Sequence, residues 1–325
     1  MHKKTKTIVV TGGLGFIGSH FIKALYDKTT FNIINIDKET YAADINRIPL
    51  SIRKHESRYT HIKEDINSNL PKHLLQAEYV VNFAAETHVD NSIDDGNPFI
   101  QTNVAGVLNL LEFFRESKTL NKFVQISTDE VYGDMSDLRG RQSADETYPL
   151  RPSSYYSASK ASADLLVQAA ARTYGIDYLI TRSCNNFGAN QDPEKFIPKI
   201  FEAIHHGEEV PLYGDGLQTR EWISVEDNVQ IILNLMSSSA RNEIYNIGSG
   251  YHNKNIELIK YIGECLEAEV VYKHVKDRLG HDRVYRINNS KVETFLGERV
   301  YQPLEGFLKD QANELKSTEN NSYGG

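Results

Sequence analysis

The chain has 325 residues, of which 40% are hydrophobic and 25% charged, a composition typical of a folded globular protein. A formal net charge of −8 argues against a nucleic-acid-binding or membrane-surface role. No apolar run approaches the about 18 residues of a membrane span and no signal-peptide core precedes the first strand, so we expect a cytoplasmic protein. Cys184 and Cys265 stand far apart, outside any Cys/His cluster, so we expect reduced thiols and no metal site.

The first element of the chain is a nucleotide-binding signature. A β-branched run at 6–11 is followed at once by GGLGFIG, in which Gly12, Gly15 and Gly18 are spaced GxxGxxG. Phe16 and later apolar residues then recur at helical intervals. Between a strand and a helix, such glycines permit a tight turn and let the backbone approach a pyrophosphate at the positive end of the helix. The sequence therefore predicts a dinucleotide-binding turn.

A carboxylate follows the second predicted strand. The apolar run at 31–36 ends in Asp37, about 20 residues after the glycine turn. A carboxylate there accepts hydrogen bonds from an adenosine ribose 2′-OH and repels a 2′-phosphate, so NAD is favoured over NADP. A third strand at 59–63 ends in Glu64-Asp65-Ile66, which we expect near the adenine.

Strands continue to alternate with helices through the first half. Apolar runs at 80–85, 122–126 and 178–182 are separated by a helix at 103–116 and by a helix that begins after Ser153 or Ser154. This order predicts an α/β fold, a doubly wound and mostly parallel Rossmann sheet with its ligands at the carboxyl ends of the strands.

The alternation of strands and helices becomes less regular after Arg182, where polar, glycine-rich segments separate short helices. A further strand is predicted at 243–248 and an amphipathic helix at 255–266. We therefore divide the chain into three parts: an NAD-binding domain at 1–185 that also receives short segments from the C-terminal half, a smaller α/β substrate domain at 186–316, and a flexible tail at 317–325.

Two short stretches carry candidate catalytic groups. QISTDEVYG ends a strand with Thr128, Asp129 and Glu130, and SSYYSASK places Tyr156 four residues before Lys160. On a helix that spacing puts the phenol and the ammonium on one face, where the cation is expected to favour the phenolate and lower the pKa of Tyr156. Each stretch alone is also typical of a polar turn or a solvated helix face. The nucleotide signature is what favours the catalytic interpretation.

Basic groups collect in the C-terminal loops. Arg220, Arg278, His281 and Arg283 follow glycine-rich turns and together could neutralise a diphosphate, although scattered surface arginines would give the same pattern. A lone loop histidine such as His88 is more often structural than functional.

With these residues assembled, the chain resembles the extended short-chain dehydrogenase/reductases, and within them the 4,6-dehydratases of nucleotide sugars such as dTDP-glucose. The resemblance covers nearly nine-tenths of the chain, through blocks that follow one another in the family's order: TGGLGFIGSH, NIDKETYA, NFAAETHVDNSI, ISTDEVYG, SSYYSASKASADLLV, TRSCNNFG, PEKFIPK, YGDGLQTREW and DRLGHDRVY. The adjacent acids of ISTDEVYG are the block that separates 4,6-dehydratases from epimerases and decarboxylases.

The resemblance implies a lyase of deoxysugar biosynthesis that recycles NAD. Oxidation at carbon 4 of a dTDP-hexose would use Tyr156, Lys160 and Thr128. Glu130 would then remove the proton on carbon 5, and protonated Asp129 would donate to the departing 6-OH as water. Hydride return to carbon 6 would complete a dTDP-4-keto-6-deoxyglucose product. Two neighbouring carboxyls in different protonation states are what that elimination needs.

The resemblance also assigns binding residues and a homodimer. It places NAD contacts at Gly12, Gly15, Phe16, Ile17, Gly18, Asp37, Lys38, Thr40, Asp65, Ile66, Ala84, Ala85, Thr102, Tyr156, Lys160 and Asn186. It places nucleotide-sugar contacts at His88, Thr128, Asn185, Lys195, Phe196, Pro211, Tyr213, Arg220, Asn255, Asp277, Arg278 and His281. The dimer would pair through a four-helix bundle supplied by the helices at 103–116 and 157–174.

Several positions depart from the family pattern. Asn91 stands where an arginine is common, Tyr155 replaces a proline, and TYAADINRI replaces the usual segment after the second strand. These departures leave a UDP-linked or N-acetylated sugar open as the substrate. The sequence also leaves open a 4-epimerase, which needs no acid pair, and a cofactor-binding regulatory protein.

Overall fold

The computed structural model describes residues 5–297 and 299–322. Its strands are β1 (Thr7–Thr11), β2 (Asn32–Asp37), β3 (Tyr59–Lys63), β4 (Tyr79–Asn82), β5 (Lys122–Thr128), β6 (Tyr178–Ser183), β7 (Asn185–Phe187), β8 (Val210–Tyr213), β9 (Thr219–Ser224), β10 (Glu243–Ile247), β11 (His252–Lys254) and β12 (Tyr272–Val275).

The α-helices are α1 (Phe16–Lys28), α2 (Leu50–Arg53), α3 (Val89–Asp94), α4 (Asn97–Phe99), α5 (Val107–Phe114), α6 (Tyr155–Tyr174), α7 (Phe196–His205), α8 (Val225–Ser237), α9 (Asn255–Leu266), α10 (Ser290–Leu296) and α11 (Leu304–Ser322). Short 3-10 turns occupy Ile45–Arg47, Lys72–Gln76 and Asp129–Tyr132, and a π-helical stretch occupies Ile100–Gly106. In the described part of the chain no helix is long and apolar enough to cross a membrane.

The main sheet has seven parallel strands in the order β10-β6-β5-β4-β1-β2-β3. Successive side chains of a strand point to opposite faces, so each strand contributes to two cores. Ile8 and Val10 join an apolar cluster with α1 and α8, whereas Val9 joins a second cluster with α5 and α6. This confirms the predicted doubly wound sheet. Its strand order reverses between β1 and β4, which places a ligand crevice at their carboxyl ends.

A smaller α/β lobe lies beyond β6. Its core packs α7, α9 and α11 against β8 and β9 around Phe187, Trp222 and Ile259, all of them buried. The segment 243–247 returns to the main sheet as β10, beside β6. The division of the chain near residue 185 stays a prediction.

Several predicted bounds differ from the structure. The strand predicted at 80–85 ends at Asn82, because its neighbour β1 turns away at Gly12, which has φ +68°. The helix predicted at 103–116 is π-helical over 100–106 before α5 begins. Residues 317–322 continue α11, whose buried Leu304, Leu308 and Ala312 recur at a four-residue spacing. That this segment is a flexible tail stays a prediction. Residues 323–325 lie outside the described part.

Candidate active site

The glycine turn after β1 is packed so closely that side chains are excluded at Gly12 and Gly18. A Cβ atom on Gly12 would lie 2.5 Å from the backbone nitrogen of Ala84, and one on Gly18 would lie 2.3 Å from the carbonyl oxygen of Gly12. Gly15 is the N-cap residue of α1 and makes no side-chain hydrogen bond. A Cβ atom on Gly15 would meet only the carbonyl oxygen of Gly12, at 3.4 Å. The first turn of α1 therefore presents free backbone N–H groups to the crevice, which is a fit for a pyrophosphate.

Asp37 is held in place at the end of β2. Its Oδ2 accepts a hydrogen bond from the backbone N–H of Leu14 (3.0 Å) and its Oδ1 accepts one from that of Glu39 (2.9 Å). Each carboxylate oxygen keeps a further lone pair for a hydroxyl donor. The orientation fits a ribose that carries free hydroxyls, as in NAD.

A cavity of about 320 Å3 runs along the carboxyl edge of the sheet. All of the predicted NAD-contact residues line it except Asp65. Asp65 lies beside the cavity instead, with its Oδ2 3.9 Å from Nζ of Lys38. Sequence reasoning did not assign Ala42, Ala43, Glu86, Thr87, Ser127, Ser183, Cys184, Gln191, Asp192 and Trp222, which also line the cavity. Glu86, Thr87, Ser127 and Cys184 directly adjoin assigned residues, so for these four the position next to a strand end was the signal that could have found them.

The acid pair begins a 3-10 turn directly after β5. Thr128 caps this turn: its hydroxyl accepts a hydrogen bond from the N–H of Glu130 (3.3 Å) and donates one to Oδ1 of Asp129 (3.2 Å). Asp129 is 2% exposed, and its Oδ2 has no hydrogen-bond partner among the described residues. Glu130 lines both this cavity and its neighbour. The two carboxyls therefore face different surroundings although they are adjacent in the chain.

Helix α6 carries the phenol and the amine in its first two turns. Ser154, rather than Ser153, caps it through a reciprocal pair: Ser154 Oγ accepts from the N–H of Ser157 (3.1 Å), and Ser157 Oγ accepts from the N–H of Ser154 (3.0 Å). Tyr156 and Lys160 are both buried and both line the cavity. Nζ of Lys160 donates to the carbonyl oxygen of Ile126 at 2.6 Å.

The expected lowering of the Tyr156 pKa is wrong for this geometry. Burial, followed by the charge of Glu130, raises the pKa of Tyr156 well above its ordinary value, and a hydrogen bond with Thr128 only partly opposes this. The Lys160 ammonium is directed to a backbone carbonyl rather than to the phenol. Burial lowers the pKa of Lys160 to about 8, against the opposing charge of Asp164.

The pKa values of both carboxyls are raised. Burial raises the pKa of Asp129 well above its usual value, and the charges of Glu130 and Glu221 raise it further. Burial raises the pKa of Glu130 to about 7, against the opposing charge of Arg220. Glu130 is therefore close to half ionised near neutral pH, and the raised pKa of Asp129 favours its protonated form.

A second cavity of about 220 Å3 adjoins the first through a shared wall that includes Glu130, Lys195 and Trp222. All of the predicted nucleotide-sugar residues line this second cavity except Thr128, which lines the first, and Asp277. Asp277 instead lies behind His281, with its Oδ1 2.6 Å from Nδ1 of the imidazole.

Four cationic side chains line the second cavity: Lys195, Lys199, Arg220 and Arg278. The Arg220 guanidinium lies 4.3 Å from the ring centre of Tyr285 and donates to the carbonyl oxygen of Asp282 at 2.9 Å. These charges fit a diphosphate.

Two of the predicted basic residues form ion pairs with aspartates. Arg278 already forms an ion pair with Asp90, with Nε 2.7 Å from Oδ1. Arg283, predicted to join the cluster, instead binds Asp215 through both terminal nitrogens, at 2.7 and 2.8 Å, and lines neither cavity. Asp90 was not predicted, and its place after His88 in ETHVD was the available signal.

The fold and the crevice define a class: Rossmann enzymes that bind a dinucleotide beside a Tyr–Lys pair. Residues 8–248 match the sequence family described as the NAD dependent epimerase/dehydratase family. The chain belongs to this family.

Individual relatives cover nearly the whole chain. It is 41% identical over 314 residues to the dTDP-glucose 4,6-dehydratase of Haemophilus influenzae, and the matched region covers 89% of this chain and 92% of that protein. It is 41% identical over 289 residues to the low-salt glycan biosynthesis protein Agl12 of Haloferax volcanii, over 88% and 91% of the two chains. Among solved structures, DesIV of Streptomyces venezuelae, a dTDP-glucose 4,6-dehydratase with NAD bound, is similar with a TM-score of 0.88 and 36% identity, over 97% and 98% of the two chains. The predicted resemblance is confirmed.

Proposed function

We propose that the protein is an NAD-dependent nucleotide-sugar 4,6-dehydratase that converts dTDP-glucose to dTDP-4-keto-6-deoxyglucose. The observation that carries this proposal is the acid pair. Asp129 and Glu130 face the cavity of Tyr156 and Lys160, and the pKa values of both carboxyls are raised. An elimination of water needs one acid and one base at neighbouring carbons, and this pair can supply both.

The crevice at the ends of β1, β2 and β4 would hold NAD, with the pyrophosphate at the start of α1 and the adenosine ribose at Asp37. When bound, NAD supplies the hydride acceptor for carbon 4 and the hydride donor for carbon 6. The reacting sugar would lie where the two cavities meet, at Glu130.

The protein's own groups would move the protons. Tyr156 would take the proton of the 4-OH, with Thr128 as its hydrogen-bond partner and Lys160 one helical turn away. Because burial raises the pKa of Tyr156, this role requires that the positive charges of Lys160 and of bound NAD stabilise the phenolate. The new 4-keto group acidifies carbon 5, from which Glu130 would remove the proton. Asp129 would donate to the 6-OH as it leaves. Burial of Thr128, Asp129, Tyr156 and Lys160 strengthens the electrostatic interactions at the reacting atoms.

The remaining expectations are proposals of the same kind. Lys195, Arg220 and Arg278 would bind the diphosphate, with the nucleoside beyond them in the second cavity. A homodimer is supported by exposed apolar side chains on the helices proposed to form the bundle, Leu108 (45% exposed) and Leu165 (57%). A cytoplasmic location also stays a proposal.

Two variants of the function remain to be separated. A dehydratase of a UDP-linked or N-acetylated sugar would keep the same catalytic groups and differ in turnover between dTDP- and UDP-sugars. A 4-epimerase would not need the acid pair, so the double variant Asp129→Asn, Glu130→Gln would stay active.

The deciding experiment is incubation of the purified protein with dTDP-glucose, without added NAD, followed by mass spectrometry. We expect a product lighter by one water, with the alkaline ultraviolet absorbance of a 4-keto sugar. This result would also show that NAD is carried and recycled. Steady accumulation of NADH would contradict the proposal. No reaction with any dTDP- or UDP-sugar, even with NAD added, would favour a cofactor-binding protein without catalysis.

A further inference from the structure

The cofactor crevice lies between two segments that come from distant parts of the chain. The first wall is the segment 40–47 after β2, which contributes Ala42 to the lining of the cavity. The second wall is the segment 189–195 before α7, which contributes Asp192. The strand ends of the main sheet form the floor between them. A dinucleotide on this floor is therefore bounded by two walls that only tertiary structure brings together.

A single arginine, from the TYAADINRI segment that departs from the family pattern, joins the two walls. Nη2 of Arg47 donates a hydrogen bond to Oδ1 of Asp192 at 2.6 Å. Nη1 donates to the carbonyl oxygens of Ala42 (2.6 Å) and of Leu14 (3.2 Å), which belongs to the glycine turn. Arg47 itself does not line the cavity. The guanidinium therefore ties three segments around the crevice to one another from outside it.

The Arg47–Asp192 pair is largely shielded from water. The two side chains are 10% and 15% exposed. A charge-assisted hydrogen bond in such surroundings is screened less than an ion pair on the surface. A second link between the walls runs from the hydroxyl of Tyr41 to Oε1 of Glu194 at 3.3 Å, but Tyr41 is 64% exposed. The Arg47–Asp192 pair is therefore the stronger of these two links.

Each wall is also anchored close to the pair. In the first wall, the N–H of Asp44 donates to the carbonyl oxygen of Leu14 at 3.1 Å. In the second wall, the carbonyl oxygen of Ala189 accepts a hydrogen bond from Nε2 of His20 on α1, at 2.9 Å. These bonds hold the two partners within reach of each other, so little further ordering is needed to form the pair.

The charge of Asp192 needs an explanation of its own. A dinucleotide carries a negative pyrophosphate, and a carboxylate in the lining of its cavity would repel it. Simple electrostatics therefore favours a neutral residue at this position. The bond to Arg47 removes the conflict, because the guanidinium neutralises the carboxylate and links it to the first wall.

The proposed reaction requires that the cofactor stay bound throughout. The hydride removed from carbon 4 returns to carbon 6, so dissociation of the cofactor between the two transfers would end the turnover without product. We propose that the Arg47–Asp192 pair closes the cofactor crevice and limits the rate at which NAD dissociates. The inference rests on the proposed placement of NAD along the strand ends. Arg47 lies outside the cavity and is a positioning residue that acts through Asp192 and Ala42.

The test measures the dissociation of NAD directly. Protein loaded with radiolabelled NAD is mixed with an excess of unlabelled NAD, and the label that stays bound is followed over time. We expect Arg47→Met and Asp192→Asn each to raise the dissociation rate about tenfold or more. The double variant should release NAD no more than about twofold faster than either single variant, because both substitutions break the same bond.

The direction of the Asp192→Asn effect separates closure of the crevice from simple electrostatics. Loss of a repulsive charge alone would slow the dissociation of an anionic ligand, whereas loss of closure speeds it. A second measurement follows activity on dTDP-glucose without added NAD. Both single variants should lose activity over successive turnovers, and added NAD should restore it. A loss that NAD does not restore would mean that the substitutions distort the active site, against the inference.

The matched control is Arg241→Met. The Arg241 guanidinium also bridges two segments, with Nη2 2.7 Å from Oδ1 of Asn121 and Nη1 3.4 Å from Oδ2 of Asp177. These partners precede β5 and β6, at the amino edge of the sheet and away from the crevice. The control variant should keep the wild-type dissociation rate.

Three outcomes of the chase would overturn the inference. Slower dissociation from Asp192→Asn would mean that this carboxylate only repels the cofactor. Unchanged dissociation from both single variants would mean that NAD leaves by another route, such as the second cavity. A double variant whose effect is the product of the two single effects would mean that the residues act separately. If Arg47→Met fails to fold, Asp192→Asn decides alone by the direction of its effect. Failure of the wild type to bind labelled NAD would instead count against the proposed function.

Discussion

The ionised side chain of Glu130 is expected to lower the free energy of unfolding at neutral and higher pH. Burial raises the pKa of this carboxyl from 4.5 to about 7. That shift corresponds to about 3 kcal/mol of differential free energy between the folded and unfolded states. Because the pKa of Glu130 is higher in the folded state, its contribution to the free energy of unfolding is fully present below the pKa of the unfolded state. This contribution is lost as the pH rises through the pKa of the folded state.

The substitution Glu130→Gln should therefore stabilise the protein in a pH-dependent way. Glutamine has nearly the shape of the protonated acid and cannot ionise, so it removes the cost of the buried charge. Relative to wild type, the free energy of unfolding should rise by about 3 kcal/mol more at pH ~8 than at pH ~4.5. Urea unfolding of both proteins at the two pH values measures this. Comparing the two pH values cancels any fixed effect of the new amide.

The control is Glu257→Gln on α9. A hydrogen bond from Lys254 lowers the pKa of Glu257, so its ionised form is favoured in the folded state. This variant should gain no stability at the higher pH. An equal effect of Glu130→Gln at the two pH values, or a loss at the higher one, would refute the reasoning from burial.

Three other predictions concern the fold and the cofactor crevice. Asp164→Ala should lower the free energy of unfolding by about 3–5 kcal/mol in urea, because it leaves the buried Arg182 guanidinium, now 2.9 Å from the carboxylate, without its counter-charge. Asp37→Ala should weaken NAD binding by about tenfold, because the acceptor for the ribose hydroxyl is lost. It should also reduce the preference for NAD over NADP, because the charge that repels a 2′-phosphate is lost. Calorimetry with each dinucleotide measures both effects. Gly18→Ala should abolish NAD binding, because its methyl group would lie 2.3 Å from a backbone carbonyl oxygen. The control Gly306→Ala on α11, whose methyl group would meet only Pro303 at 3.7 Å, should bind NAD in the same assay.

The position of the site was predictable because it depends on strand ends. In a parallel sheet the carboxyl ends of all strands meet at one edge, so Gly12, Asp37, Ala84 and Glu130 had to gather once their strands were recognised. The spacing of Tyr156 and Lys160 needed only the helical period. These parts of the site rest on local patterns that survive folding.

What the sequence could not show are interactions set by distant segments. The direction of the Lys160 ammonium depends on a carbonyl oxygen of β5. Arg283 binds Asp215, which lies in a loop far away in the chain, instead of joining the basic cluster. Glu221 and His252 meet only because β9 and β11 pair. No periodicity in the sequence marks such contacts, because charge partners are chosen by tertiary packing.

The position of β10 has a consequence for how the protein is made. This edge strand pairs in parallel with β6, and the segment between them carries β7, β8, β9, α7 and α8. Parallel strands that are far apart in the chain pair slowly, because the entropy of closing the loop between them is lost before the strand contacts stabilise the pair. During synthesis β6 therefore waits with an open edge until the ribosome has delivered that whole segment. A fragment ending near residue 185 would keep this edge exposed and would aggregate, so the cofactor half depends on the other half for its solubility.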